Sequence, residues 1–209
     1  MATLDKKARR HAVDLAMLAA ALVARRNDHL NYLINSLKTN GVTRRAVSEL
    51  ILQSYLHDGY ATALEGMSIL ADLWPEPSEL LEPEGYRDFA KWQERGRELF
   101  GEIYGDVADR AESNIKSVSP ELALWMLTEG YGKVLSRGIL DPATRELGTV
   151  AVLVLKRRPT QLYSHLRGSL RTGVTLIELN TLFNRIQQEI PDPAAAAEAR
   201  GLLSRVARP

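Results

Sequence analysis

Among residue types able to do chemistry in water, this 209-residue chain holds four histidines, His11, His29, His57 and His165, and no cysteine. The missing thiol excludes disulfides, thiolate nucleophiles, Cys-ligated zinc and any thiol redox cycle. The histidines show no pairing at helical metal spacing and no His-Glu motif along one helix face, so no metal site is expected. Ser164 precedes His165 without the Gly-x-Ser-x-Gly turn of a nucleophile elbow, which makes it a helix surface residue. Gly101, Gly105, Gly130 and Gly132 do not form a phosphate loop. What remains is proton transfer and anion binding. Imidazole titrates near about pH 6.5, and the planar arginine fork grips a carboxylate through two hydrogen bonds.

Charge narrows the partners further. With 27 Lys+Arg against 26 Asp+Glu, the net charge of +1 offers no field to recruit a polyanion, so nucleic acid is not expected. Thr43-Arg44-Arg45 and the basic N-terminus suggest a helix-turn-helix, but no single helix concentrates the basic residues. Hydrophobic residues at 45% and charged residues at 25% describe an ordinary folded chain.

These groups have to be positioned by helices. The longest apolar run, Leu15 to Ala24, has ten residues, about half of what a membrane span needs, and reads as a core helix. Lys6, Lys7, Arg9 and Arg10 precede it as in a signal peptide, but Arg25 and Arg26 follow without a small-residue cleavage site, and a cytoplasmic location is expected. Leu30, Leu33, Ile34 and Leu37 recur at helical spacing before Gly41, and Thr43 caps a third helix through Ala63 or beyond. Trp74-Pro75-Glu76-Pro77-Ser78 and Glu82-Pro83-Glu84-Gly85 block helix continuation twice. They predict a linker at 75–85 between an N-terminal unit, 1–74, and a C-terminal domain, 86–209. Beyond it Tyr86 to Ile103 is amphipathic, and Ser119-Pro120-Glu121 starts a helix to about Arg137. Asp141-Pro142 starts another, leading into Val150 to Leu155, an apolar run that alone fits a buried strand equally well. Trp74, Trp92 and Trp125 are expected at helix contacts or a subunit interface.

An internal repeat resolves the strand ambiguity. Shifting the sequence by 132 residues sets Leu15 on Leu147, Arg25-Arg26 on Arg157-Arg158, Gly41-Val42-Thr43 on Gly173-Val174-Thr175 and Leu50 on Leu182 without a gap. The first run is rich in alanine, a strong helix former, so its counterpart is helical too, and an all-α protein with two related three-helix units is expected. His57-Asp58 then has the option of lining a pocket shared with the second unit.

Arg145-Glu146-Leu147, Arg157-Arg158-Pro159-Thr160-Gln161-Leu162, His165-Leu166-Arg167-Gly168-Ser169-Leu170 and Gly173-Val174-Thr175 resemble the carboxymuconolactone decarboxylase family. The resemblance runs from about Leu99 to Leu182, with Tyr131 to Asp141 as its lead-in, and the stretch Leu37 to Leu64 matches separately as a shortened first copy. It implies the all-α fold of the alkylhydroperoxidase D-like superfamily and assembly into a homo-oligomer. In that superfamily's peroxidase branch a Glu is followed by two cysteines and a His; here Glu146 and His165 keep the outer positions, while Arg158 and Gln161 stand where the sulfurs would be. Thiol peroxidase chemistry is thereby excluded.

The decarboxylase branch implies a cofactor-independent lyase that removes carbon dioxide from a small carboxylated lactone. On that reading His165 transfers the proton, Glu146 orients or tunes it, and Arg158 or Arg167, with Gln161 beside them, binds the substrate carboxylate. The first copy carries Asp14, Arg26, His29 and Leu33 at the corresponding positions, so its histidine is lost. Along a hairpin about Arg158-Pro159, Glu146 lies roughly 18 Å down one arm and His165 roughly 10 Å down the other. A direct bond between them then requires a crossing angle, a bridging water or a second subunit. Glu146 also fits the first-turn acid, and the paired arginines the last-turn cations, that a helix dipole favours. A degenerate, non-catalytic oligomeric scaffold of the same fold is the alternative.

Overall fold

A computed structural model describes residues 4–75, 84–190 and 192–207. Among them the helices are α1 (Lys6–Arg10), α2 (Ala12–Val23), α3 (Asn27–Thr39), α4 (Arg44–Gln53), α5 (Tyr55–Leu73), α6 (Phe89–Tyr104), α7 (Ala108–Val118) and α8 (Pro120–Trp125). A π-helical stretch, Met126–Leu135, continues α8, and α9 (Pro142–Leu155), α10 (Pro159–Arg171), α11 (Leu176–Glu189) and α12 (Pro193–Val206) complete the order. The described residues contain no strand, and the fold is all-α. The run Val150 to Leu155 is helical.

The two most buried helices, α2 and α9, pack against each other at the centre. Alanines dominate the buried surface of α2, which lets α9 approach closely enough that its residues from Ala143 to Val154 are all buried. On α9 this includes polar side chains, which build the candidate site. Helices α3 and α4 pack on α2, while α10 and α12 pack on α9 and α11 bridges both. One apolar core runs from Ala8 in α1 to Leu203 in α12, and α6 with the π-helix forms a smaller second cluster around Leu99, Phe100 and Tyr131. Most of the expected linker, residues 76–83, lies outside the described residues.

Positions 132 apart share their local geometry. Arg25 and Arg157 both take positive φ, at 56° and 50°, as do Gly41 and Gly173 at 74° and 93°. The amide of Arg26 bonds to Ala21 O and that of Arg158 to Leu153 O; likewise Val42 to Leu37 O and Val174 to Ser169 O. These are the six-to-one bonds that close a helix through a left-handed residue. Thr43 and Thr175 then cap the next helices by accepting from the amides of Ala46 and Glu178.

Three expected helices differ in detail. The third does not run unbroken through Ala63: it breaks at Ser54, and Gly59, at φ 81°, puts a kink into α5. The Tyr86 helix opens with a 3-10 turn before α6. The Ser119 helix widens into the π-helix and ends at Leu135, where α6 crosses it at backbone contact. Trp74 and Trp92 are buried at helix contacts, and Trp125 is exposed.

That crossing depends on two glycines. A Cβ on Gly96 would lie 1.9 Å from Leu127 O, and one on Gly132 would lie 1.9 Å from Trp92 O. Neither backbone can yield without separating the helices. Gly96→Ala and Gly132→Ala are each expected to destabilise by about 1–3 kcal/mol or more. Gly101→Ala, in the same helix with no atom within 4 Å of the added methyl, is expected to stabilise by up to about 1 kcal/mol. Urea unfolding of the three variants checks this.

Candidate functional site

The site begins with the start of α9. Asp141 caps it by accepting from the Thr144 amide at 2.7 Å, and Pro142 sets the first turn. This fixes which residues of a fully buried helix face which neighbour. Glu146, 1% exposed, meets His165 of α10, whose Nδ1 lies 3.0 Å from Oε2 and 3.2 Å from Oε1. The bond is direct, within one chain. Gly168, one turn beyond His165, is what lets the helices cross so closely: a Cβ there would stand 2.8 Å from Glu146 Oε2 and 2.6 Å from Ile103 Cγ2.

Burial alone would discharge His165, but the adjoining Glu146 carboxylate outweighs it and lifts the pKa above its usual 6.5. The imidazole side chain is 14% exposed, so it reaches solvent at an edge. Behind the pair lie two phenols, Tyr104 and Tyr131, which share a hydrogen bond. Burial, together with the Glu146 charge, raises both pKa values, so they stay protonated.

The other polar residues of α9 reach into the first half of the chain. Arg145 donates to Glu49 Oε2 at 3.0 Å, to Gln53 Oε1 at 3.2 Å and to the Arg137 carbonyl at 2.8 Å. Arg137 grips the same Glu49 carboxylate at 2.9–3.0 Å. Burial opposes the Glu49 charge, but the two guanidiniums prevail and hold its pKa below the usual value. Gln53 Nε2 donates to the Arg145 carbonyl and to Thr149 Oγ1, both at 2.9 Å, and Thr149 Oγ1 lies 3.4 Å from His57 Nε2. Burial, aided by the His165 charge, pushes His57 down to about 4. The site thus holds one imidazole biased towards charge and one held neutral.

The sequence-predicted residues are placed unevenly. Arg158 and Gln161 are exposed; Gln161, four residues before His165, lies on the same face of α10 as the imidazole, while Arg158 precedes the helix in non-helical geometry. Neither side chain makes a hydrogen bond or ion pair with a described residue. Arg167, two positions past His165, projects about 200° around the helix from it and is not brought to the imidazole. Two surface clefts, of about 150 and 460 Å³, are lined from α6, α8 and neighbouring segments and do not include His165. In the first half Leu33 is buried at the histidine position, while Asp14 bonds His11 Nδ1 at 3.0 Å and Arg185 at 2.6 Å. His29 Nε2 lies 2.8 Å from Glu189. Among described residues no cluster fits a metal. Gln53, Tyr104, Tyr131 and Thr149 escaped the sequence reading; only Thr149, one turn from Glu146, carried a usable spacing signal.

The two imidazoles set opposite pH limits. His165, raised when folded, contributes stability that is complete below about pH 6.5 and lost as pH rises through its folded pKa. His57, depressed when folded, contributes stability that is complete above about 6.5 and lost as pH falls towards about 4. Together they place a stability maximum near pH 6.5. Between about pH 6.5 and 4.5 wild-type protein is expected to lose up to roughly 3 kcal/mol relative to His57→Asn. Urea unfolding of both proteins across that interval checks it.

Residues 120–201 match the model of the carboxymuconolactone decarboxylase family. Peroxisomal protein 2 of Schizosaccharomyces pombe is 38% identical over 82 residues, which cover 39% of this chain and 38% of that protein. The 4-carboxymuconolactone decarboxylase of Acinetobacter baylyi is 33% identical over 89 residues, covering 42% of this chain and 66% of that enzyme. The chain thus spans well under half of the first relative and just under two thirds of the second. Glu146, His165 and their partners on α9 and α10 all fall within residues 120–201, the segment of this chain that is similar to the carboxymuconolactone decarboxylase family.

Proposed function

We propose that the protein is a cofactor-independent lyase that removes carbon dioxide from a small carboxylated, unsaturated lactone. The observation that carries this reading is the direct bond between buried Glu146 and His165, which holds a proton donor whose ring reaches solvent at an edge. In the reaction the bond between the ring carbon and the carboxylate breaks, its electron pair delocalises towards the lactone carbonyl, and carbon dioxide leaves. His165 Nε2 then gives its proton to carbon and recovers one from water. Glu146 holds Nδ1 and favours the charged imidazole before transfer. Arg158, exposed just before α10 and making no hydrogen bond or ion pair with a described residue, supplies a cation for the substrate carboxylate, with Gln161, on the imidazole face, as a neutral donor. Arg167 sits badly for that role.

The 132-residue correspondence supports reading the two halves as copies of one unit. Gln53 and His57, which serve the Glu146 site, correspond to Arg185 and Glu189, which serve Asp14 and His29. Each half supplies the supporting residues of the other's site, and the second half alone keeps the Glu and His pair. Exposed Val118, Leu122 and Trp125 on α7 and α8 supply an apolar surface suited to a homo-oligomer. No helix among the described residues is long and apolar enough to cross a membrane. A cytoplasmic site of action accords with this reading.

Carbon dioxide release from 4-carboxymuconolactone and related lactone acids tests the proposal. His165→Gln should lower kcat by about 10²-fold or more with the fold retained. Glu146→Gln should cost less and move the alkaline limb of the rate to lower pH, because loss of the carboxylate lowers the His165 pKa. Arg158→Leu should raise KM more than it lowers kcat. Full activity in His165→Gln contradicts the assignment, and no turnover of any lactone acid by wild-type protein favours the oligomeric scaffold.

A further inference from the structure

Glu146 and Thr149 stand one turn apart on α9, and each receives an imidazole, His165 from α10 and His57 from α5. The Thr149 hydroxyl decides which nitrogen of His57 carries the proton. Its oxygen already accepts from Gln53 Nε2 at 2.9 Å, and His57 Nε2, at 3.4 Å, is the recipient in reach of its own proton. Were Nε2 the donor instead, the hydroxyl proton of a residue with no exposed surface would go unpaired in the core, an arrangement folded proteins avoid. Nε2 therefore accepts, and His57 carries its proton on Nδ1. His165 is held the other way round, with Nδ1 against Glu146 and Nε2 free. No described residue bonds either outer nitrogen.

We propose that His57 Nδ1–H and His165 Nε2–H form a paired donor site for one anionic oxygen, the lactone carbonyl oxygen on which charge collects as carbon dioxide leaves, with His165 Nε2–H holding that oxygen until its proton passes to carbon and His57 Nδ1–H holding it throughout. This rests on the lactone-acid reading above and adds to it a substrate-contacting residue from the first half of the chain. A neutral donor suits the position. It strengthens its hydrogen bond as the oxygen becomes negative, without placing a second positive charge beside His165. The low pKa of His57 keeps it neutral throughout the working range. His57 makes and breaks no covalent bond. This placement also gives a use to the polar residues Gln53 and His57, which the first half contributes although its own Glu and His pair is lost.

Nitrogen NMR of the histidine rings tests the proposal, first on free protein and then with γ-butyrolactone-γ-carboxylate, a saturated lactone acid unable to form the conjugated enolate. In free protein His57 is expected neutral with its proton on Nδ1 from about pH 5 to 8; a proton on Nε2 overturns the proposal. On titration His57 Nδ1 and His165 Nε2 should shift along one binding curve. A shift at His165 alone overturns the paired site while leaving the lactone-acid reading intact, and no shift at either ring overturns both. His57→Asn, whose amide N–H falls near the place of Nδ1, should bind this probe within about threefold of wild type, and His57→Leu about 10- to 100-fold more weakly. Wild-type affinity in His57→Leu overturns it, and should that variant not fold, weak binding by folded His57→Asn does so.

Discussion

A helix buried on every side must find a partner inside the protein for each polar group it carries, and α9 carries four: Thr144, Arg145, Glu146 and Thr149. That constraint organises the molecule. Thr144 turns back to the Asp141 cap, Arg145 reaches Glu49 and Gln53 on α4, Glu146 takes His165 on α10, and Thr149 takes Gln53 and His57. Alanine-rich α2 makes the burial possible by bringing its backbone close to α9. The same packing that excludes water from α9 makes each of these pairings costly to break.

The electrostatics depend on how many opposite charges each group meets. Glu49 lies between Arg137 and Arg145 and remains ionised against burial, so the carboxylate is a fixed anchor rather than a proton carrier. For Arg145 burial, aided by the like charge of Arg137, outweighs the Glu49 and Asp141 carboxylates, lowering its pKa from a value so high that it stays charged. His165 has a carboxylate and rises; His57 has only a hydroxyl and a charged neighbour, and falls. Two identical side chains thus acquire different protonation states from their partners on one helix face.

The helix starts and stops were legible in the sequence because they depend on local chemistry. Thr43, Ser119, Asp141 and Thr175 all cap as side-chain acceptors, and the Gly-Val-Thr breaks lie where glycine takes positive φ. The helical state of Val150 to Leu155 was legible only through its alanine-rich counterpart. The direct Glu146–His165 bond was not legible, since counting residues along a hairpin gave arms of unequal length; the crossing depends on the absence of a side chain at Gly168. The roles of Gln53 and His57 were hidden for a similar reason. They lie more than ninety residues from Thr149 in the sequence, and only the packing of α4 and α5 on α9 brings them to it. The break at Ser54 and the widening of α8 into a π-helix reflect tertiary packing that no local pattern encodes.

Proton transfer at this site requires that Glu146 hold His165 as a donor, and an NMR titration of the His165 ring in wild type and Glu146→Gln measures that most directly. The geometry predicts a pKa above 6.5 in wild type that falls when the carboxylate is removed, since burial is then unopposed. A wild-type value at or below 6.5, or one that Glu146→Gln leaves unchanged, would contradict it.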